Sequence, residues 1–274
     1  GEPEIVEALA RAAEQGQKVR VAGASHSHSP LVVTSGMLLD LADLAGVLAV
    51  DLEAGTARLG AGRRIADLGV PLRERGAALL NQGDIDRQAI GGALATGTHG
   101  TGLQLRNLSA GLVSARLLLA DGRAVECSAS SEPELFQAAR LHLGGFGVMT
   151  ELTLAIRPAY RLEERIWLED LDAVLARIDA LAEDTRHFEF FWMPGGDRAA
   201  CKATWETQEP PVYPLAEEGK RRAWSDEVLA NERNDKHSEM EYSVPLASGP
   251  DCFLALREML ARDFPAQALS LIHI

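Results

Sequence analysis

KVRVAGASHSHSPLVVTSG, residues 18–36, is the stretch from which the organisation of the chain is read. Lys18 to Ala22 carries β-branched residues in alternation and predicts a strand. The chain then enters Gly23, Ala24, Ser25, His26, Ser27, His28, Ser29 and Pro30, where small side chains let successive backbone N–H groups turn toward one point, the geometry of an anion nest. A second segment, IGGALATGTHGTG at residues 90–102, again combines glycines with small hydroxyl residues and permits close approach of a ligand to the backbone. A tight turn would use the same residue types in either place, and short glycine patterns match by chance. Neither segment has the strand, G-x-G-x-x-G, helix order of a dinucleotide fingerprint, and no G-x-x-x-x-G-K-[S/T] occurs, which weakens nicotinamide and nucleoside-triphosphate readings.

The surrounding chain narrows the field. Its 274 residues carry 27 Lys and Arg against 40 Asp and Glu, a net charge of −13, with 46% hydrophobic residues. That composition excludes disordered, collagen-like and disulfide-scaffold classes, and the length suits two domains. The acidic balance argues against a nucleic-acid surface, whose affinity comes from clustered Lys and Arg, so any bound phosphate is expected to rest largely on backbone N–H groups. Cys127, Cys201 and Cys252 are far apart and in no metal-ligand spacing, so no metal is expected and a reducing, cytoplasmic setting is. No apolar run approaches the ~20 residues of a membrane span, and Gly1-Glu2-Pro3-Glu4 has no signal-peptide character. The non-Met start and the abrupt end lead to the expectation of a fragment cut at both ends, with residues 269–274 a non-native tail.

Periodicity gives the elements. A helix is expected over Ile5 to Ala13 with Gly16 as its exit, then strands at Lys18 to Ala22, Met37 to Leu41, Val47 to Val50 and Thr56 to Leu59, and a helix over Asp67 to Arg75. Leu112 to Leu119 and Ala124 to Ser128 flank Asp121-Gly122 and predict a hairpin closed by a primed turn. Glu132 to Leu143 reads as helix and Val148 to Ile156 as strand, with a domain boundary at Pro158. Beyond it come a strand near Leu162 to Trp167, a helix Leu171 to Leu181, strands Phe188 to Trp192 and Ala199 to Trp205, a helical stretch Arg222 to Leu229, a strand Glu239 to Val244 and a helix Phe253 to Leu260. Cys127, Trp192, Trp205 and Tyr242 are read first as packing residues. Glu239 and Glu241 alternate with Glu189 as a possible neighbour, but charged strand residues more often face solvent.

Three motifs in order, VAGASHSHSPLVVTSG at 21–36, NQGDIDRQAIGGALATGTHGTG at 81–102 and LHLGGFGVMTELTL at 141–154, resemble the FAD-binding domain of the vanillyl-alcohol oxidase superfamily. Within it the resemblance is to the sugar-lactone and sugar-alcohol oxidases, covering Ile5 to Pro158 and, more weakly, Glu239 to Pro245. It implies an α+β fold: a two-subdomain PCMH-type FAD-binding domain over residues 1–158, then the first part of an α+β substrate domain over 159–268. It also implies a cofactor site of Ala22, Gly23, Ala24, Ser25, His26, Ser27, Gly91, Gly92, Thr96, Gly97, Gly100, Thr101 and Val148. By the same resemblance His26 bonds covalently to the flavin, since its spacing to Thr34 and Gly36 matches. Ser25 departs from the family, standing where glycine is usual. His99 is read as a hydrogen-bonding residue, because geometry must precede any pKa argument for a base. Gly144 and Gly145 serve equally as a helix C-cap.

The implied reaction is hydride transfer from a carbinol carbon of a sugar-1,4-lactone to the flavin, with a sugar alcohol as the alternative substrate and oxygen or another acceptor as oxidant. The lactone preference rests on the likeness of Glu239-Met240-Glu241-Tyr242-Ser243-Val244-Pro245. Family Glu and Arg residues on a later strand, and a lysine in His-Trp-Gly-Lys, are expected beyond the chain end, so no catalytic residue is assigned. A flavin-binding module without turnover remains the reading from another class.

Overall fold

The computed structural model describes residues 1–44, 46–231 and 239–264, and the backbone of 270–273. It divides into two compact units. The first holds Gly1–Gly100, Arg106–Tyr160 and described residues 225–231; the second holds Thr101–Leu105, Arg161–Trp224 and the described residues beyond 238.

Unit 1 opens with helix α1 (Glu2–Glu14), started by Pro3 in its first turn and stopped at Gly16, whose φ is +61°. Its buried residues, Ile5, Ala8, Leu9 and Ala12, recur at helical spacing, and Ile5 and Leu9 join a cluster with Leu41, Leu118 and Val148. Strands β1 (Val19–Ala22) and β2 (Met37–Asp40) pair in parallel. Then follow β3 (Val47–Asp51), β4 (Thr56–Gly60), helix α2 (Gly69–Arg73) after a 3-10 turn at Ile65–Asp67, β5 (Ala77–Leu79) and helix α3 (Ile90–Ala95). The hairpin β6 (Leu112–Leu118) and β7 (Ala124–Ser128), helix α4 (Pro133–Arg140) and the long strand β8 (Val148–Pro158) complete the main body.

The larger sheet runs β3-β4-β8-β6-β7, with β5 also on β8. Alternate residues of its strands, among them Ala57, Leu59, Ala115, Leu117, Leu152 and Leu154, enter one core with Leu72, Ile90, Leu94 and Phe136 from the helices. The first turn of α1 is tied to this sheet by a carboxylate: Glu2 accepts from Arg116 Nε at 2.8 Å and from Thr150 Oγ1 at 2.6 Å.

Unit 2 contains β9 (Arg161–Asp170), helices α5 (Leu171–Leu175) and α6 (Ile178–Asp184), and strands β10 (His187–Trp192), β11 (Arg198–Thr207) and β12 (Arg222–Trp224). After a return to unit 1 as the short helix α7 (Ser225–Val228), it ends with α8 (Gly249–Asp263) and β13 (Ser270–His273). The sheet order is β12-β9-β11-β10-β13. Phe188, Phe190, Trp192, Ala199, Cys201 and Ala203 pack its apolar face with Leu171, Val174 and Phe253.

Several expectations are corrected. Only Gly122 of Asp121-Gly122 has a positive φ, so the hairpin closes through a longer loop with one left-handed glycine rather than a two-residue primed turn. Residues 90–95 form a helix where a glycine-rich loop was expected, because Ile90, Ala93 and Leu94 find an apolar core on one side. Leu171 to Leu181 is broken at Arg177, which leaves helical geometry at φ −131° while its guanidinium holds Glu169. Arg222 to Trp224 is a strand, since pairing with β9 overrides its helical pattern. Glu239 to Val244 is exposed and irregular rather than a strand. Of the expected tail, Leu269 and Ile274 lie outside the described residues.

Arg116 and Thr150 donate to the Glu2 carboxylate and hold it below the usual carboxylate pKa. Its contribution is therefore present above the unfolded-state pKa and lost as pH falls through the folded one. Glu2→Gln is expected to lower stability by about 1 kcal/mol near neutrality, and the gap to the parent should close in acid, as read by denaturant unfolding at a series of pH values.

Candidate functional site

A cavity of about 150 Å³ lies within unit 1. Residues 20–27 of β1 and its following loop form one wall, with Ser29, Leu31 and Val32; Gly91, Gly92, Ala93, Ala95 and Thr96 of α3 and its cap form another; His142, Leu143, Gly144, Gly147 and Met149 close it from the turn before β8. Three glycine-rich segments distant in sequence thus converge. Arg20 is the one Lys, Arg, Asp or Glu among the described lining residues, so fixed dipoles dominate the electrostatics of the wall.

The glycines divide by task. Gly91 is buried, and a Cβ there would lie 2.9 Å from the Cβ of Ala61 and 3.0 Å from its carbonyl oxygen, so the hydrogen atom is needed for α3 to pack. Gly92, the next residue, is exposed and would meet nothing within 4 Å, so its missing side chain leaves free space beside the cavity. A Cβ on Gly23 would sit 2.8 Å from that of Ala89, which lets the β1 loop close against the start of α3. Ser25 adopts φ +52°, in the left-handed region. This accounts for the glycine usual there in the family, because a Cβ in that conformation costs roughly 1–2 kcal/mol.

Ala22, Gly23, Ala24, Ser25, His26, Ser27, Gly91, Gly92 and Thr96 all line the cavity, as does none of Gly97, Gly100, Thr101 and Val148. Gly97, at φ +74°, ends α3. Gly100 lies so close to the Gln82 carbonyl that a Cβ would stand 2.1 Å from it. Thr101 belongs to unit 2, where its carbonyl oxygen is 3.0 Å from His187 Nδ1. Val148 packs beneath α1, and Met149 takes its expected place on the wall. His26 lines the cavity while His28 does not. His99 Nδ1 is 2.9 Å from the Gly100 carbonyl oxygen, and Cys127 is buried in the unit 1 core.

Two features escaped sequence reasoning. His142 is buried on the cavity wall, its Nδ1 accepting the N–H of Gly144 at 3.0 Å. Its place at the head of the third glycine-rich motif was the available signal. In unit 2, Glu189 is not on a solvent face: it is 3% exposed and 3.4 Å from Lys202 Nζ. Lys202 also lies 3.3 Å from Glu218 and 3.9 Å from Glu164, and Glu164 accepts from Arg221 Nε at 2.8 Å. Glu164, Glu189 and Lys202 alternate onto one face of the sheet, opposite its aromatic face. Of the aromatic residues considered, Trp192 is in the core and Tyr242 is exposed.

Comparison with known proteins agrees with this geometry. Residues 2–128 match the model of an FAD binding domain, and residues 152–234 match that of D-arabinono-1,4-lactone oxidase. The L-gulono-1,4-lactone dehydrogenase of Mycobacterium tuberculosis (strain CDC 1551 / Oshkosh) is 31% identical, over 95% of this chain and 69% of that protein. The L-gulonolactone oxidase of Bos taurus is 36% identical over 76% of this chain, which spans 47% of the bovine protein. In fold the chain is similar to 6-hydroxy-D-nicotine oxidase from Arthrobacter nicotinovorans (TM-score 0.67, 20% identity, 84% of this chain and 55% of that one). It is likewise similar to cholesterol oxidase from B. sterolicum (TM-score 0.69, 20% identity, 79% of this chain and 45% of that one).

The cavity suits FAD. It offers a wall of small residues and free space at Gly92. Gly92→Val is therefore expected to lose bound FAD, measured as flavin absorbance of the purified protein, while still folding, with a melting temperature near that of the flavin-free chain. Gly91→Ala should instead destabilise the chain by roughly 1–3 kcal/mol through overpacking against Ala61. The converging motifs, the cavity they form and the relatives that share them place this chain in the family of FAD-dependent sugar-1,4-lactone oxidoreductases, within the vanillyl-alcohol oxidase superfamily.

Proposed function

We propose that the protein oxidises a carbinol carbon of a sugar-1,4-lactone of the gulono or arabinono type, passing electrons through FAD to oxygen or another acceptor. The convergence of the three motifs on one cavity, with His26 on its wall, is the observation that carries this reading. Bound FAD supplies the hydride acceptor. Residues 1–158 would hold it, and 159–268 would contribute to the substrate side. Backbone N–H groups of the Ala22 to Ser27 loop would carry the pyrophosphate, since mobile lysines are absent from the described wall. His26 is the better candidate than His28 for covalent attachment because only His26 lines the cavity. The relatives' names include both oxidase and dehydrogenase, so the oxidant is left as a class. The free thiols Cys127, Cys201 and Cys252 support a reducing, cytoplasmic setting, and no helix among the described residues is long and apolar enough to cross a membrane.

Two measurements test the proposal. Anaerobic addition of L-gulono-1,4-lactone or D-arabinono-1,4-lactone should bleach the flavin; bleaching by xylitol or sorbitol alone would reassign the substrate to sugar alcohols, and none with any of them would leave a flavin-binding module. Acid-precipitated protein should stay yellow, with His26→Ala releasing its flavin to the supernatant and His28→Ala keeping it. Release from the parent protein would count against the covalent bond.

A further inference from the structure

Two strained residues from different segments stand on the cavity wall. Among the described residues, those other than glycine with positive φ are Ser25, Glu132 and Leu143, and of these Ser25 and Leu143 line the cavity. Leu143, at φ +48°, is the more unusual, because a bulky side chain crowds the following carbonyl in that region. The bend is firmly held: the Leu143 N–H donates to the Ala95 carbonyl at 3.2 Å and the Gly145 N–H to the His142 carbonyl at 2.8 Å. Those bonds would form equally well around glycine or asparagine, the residues that accept a left-handed backbone readily. They account for the bend and leave the leucine unexplained.

Packing does not explain it either. Leu143 is 50% exposed, whereas of the other large apolar side chains on the wall Leu41 and Met149 are buried and Val21, Leu31 and Val32 partly so. A large apolar group that is both strained and half in water gains little from the fold around it, and strain of this kind is retained where function uses it. Leu143 lines the cavity beside Gly144, with the His26 loop on another wall, so a ligand filling the cavity has this side chain within reach.

We infer that Leu143 is a cofactor-binding residue, its side chain packing on the dimethylbenzene edge of the isoalloxazine ring of bound FAD. The inference rests on the FAD reading and adds an apolar contact to a wall otherwise notable for its backbone N–H groups and small residues. The chemistry of the ligand selects the ring edge. Pyrophosphate, ribityl chain and ribose seek hydrogen-bonding partners, and adenine carries nitrogen along most of its rim; the dimethylbenzene edge is hydrocarbon alone and gains from leaving water. His26, the candidate for attachment to the flavin, lines the same cavity. On this account the left-handed turn aims a side chain that glycine would lack.

Two substitutions separate the side chain from the turn. Asn tolerates the left-handed backbone but ends in a polar amide; Met keeps an apolar side chain of similar volume. Both would be made in a His26→Ala background, so that no histidyl bond hides the binding equilibrium. FAD would be added to the flavin-free chain and its binding followed by quenching of flavin fluorescence. Leu143→Asn is expected to weaken FAD binding about fivefold, which corresponds to about 1 kcal/mol, with the melting temperature of the flavin-free chain unchanged or raised. Leu143→Met should bind FAD within about twofold of the His26→Ala parent. An FAD analogue lacking the two ring methyl groups completes a cycle: its disadvantage against FAD should be several-fold in the parent and small in Leu143→Asn, where the side chain that touched the methyl groups is gone. FAD affinity undiminished in Leu143→Asn, both variants weakened alike, or an equal disadvantage of the analogue in the parent and in Leu143→Asn would overturn the assignment. Failure of the His26→Ala parent itself to bind FAD would overturn it together with the FAD reading, and would be seen before either variant was made.

Discussion

Strand β8 bears the hydrogen-bonding load of unit 1. Its 11 residues pair with β4 along one edge and β6 along the other, and its last residues pair with β5. With both edges occupied, the strand cannot slip without inverting every side chain it sends to the core. Its first two residues then fall on opposite faces: Val148 under α1, Met149 in the main core and on the cavity wall. The register of β8 therefore fixes where the preceding turn, with His142, must lie. Arg116 on β6 and Thr150 on β8 reach Glu2 from neighbouring strands, so α1 depends on the same register.

The parts of the fold legible in sequence were those with a local physical cause. Pro3 and Gly16 mark the limits of α1, and apolar residues recurring mainly at alternate positions mark β8, β10 and β11, because each has one face in an apolar core. Where a tertiary partner decided the outcome, local pattern misled. Arg222 to Trp224 resembles helix in composition but is held as strand by β9. Glu189 resembles a solvent-facing strand residue, yet its charge is met by Lys202 from the neighbouring strand. The cavity followed a similar division. The loop from Gly23 to Ser27 was legible because it follows the end of β1 and has no helix or strand of its own to form. Within residues 90–101 the formation of α3 sorted the candidates, keeping Gly91, Gly92 and Thr96 on the wall and removing Gly97, Gly100 and Thr101.

Unit 2 presents a contrast between the two faces of one sheet. Phe188, Phe190 and Trp192 give one face an aromatic core, with Phe190 and Phe253 packed edge to face at 5.6 Å between centroids. The other carries Glu164, Glu189 and Lys202, all at most 5% exposed. Ion pairs so deeply buried repay their desolvation only when each charge keeps several partners, and here both Lys202 and Glu164 have more than one. Such a network specifies geometry more than it adds net stability, and removal of any one member leaves the others uncompensated. A thiol on the apolar side, Cys201, has its pKa pushed up to about 11 by burial and stays unreactive.

Ser25 has a consequence for how this protein would respond to selection. Its left-handed backbone is held in place by surrounding structure rather than by its own preference, and it immediately precedes His26. Glycine would relax the local strain, but it would also give the free chain more conformations to lose on folding. Heat resistance and a rigid histidine loop therefore pull on the same position through different states of the chain, one folded and one unfolded. A lineage or a laboratory screen that tracks only survival on heating would read the net of these two terms, and could exchange serine for glycine at residue 25 without registering any loss of aim in the neighbouring imidazole.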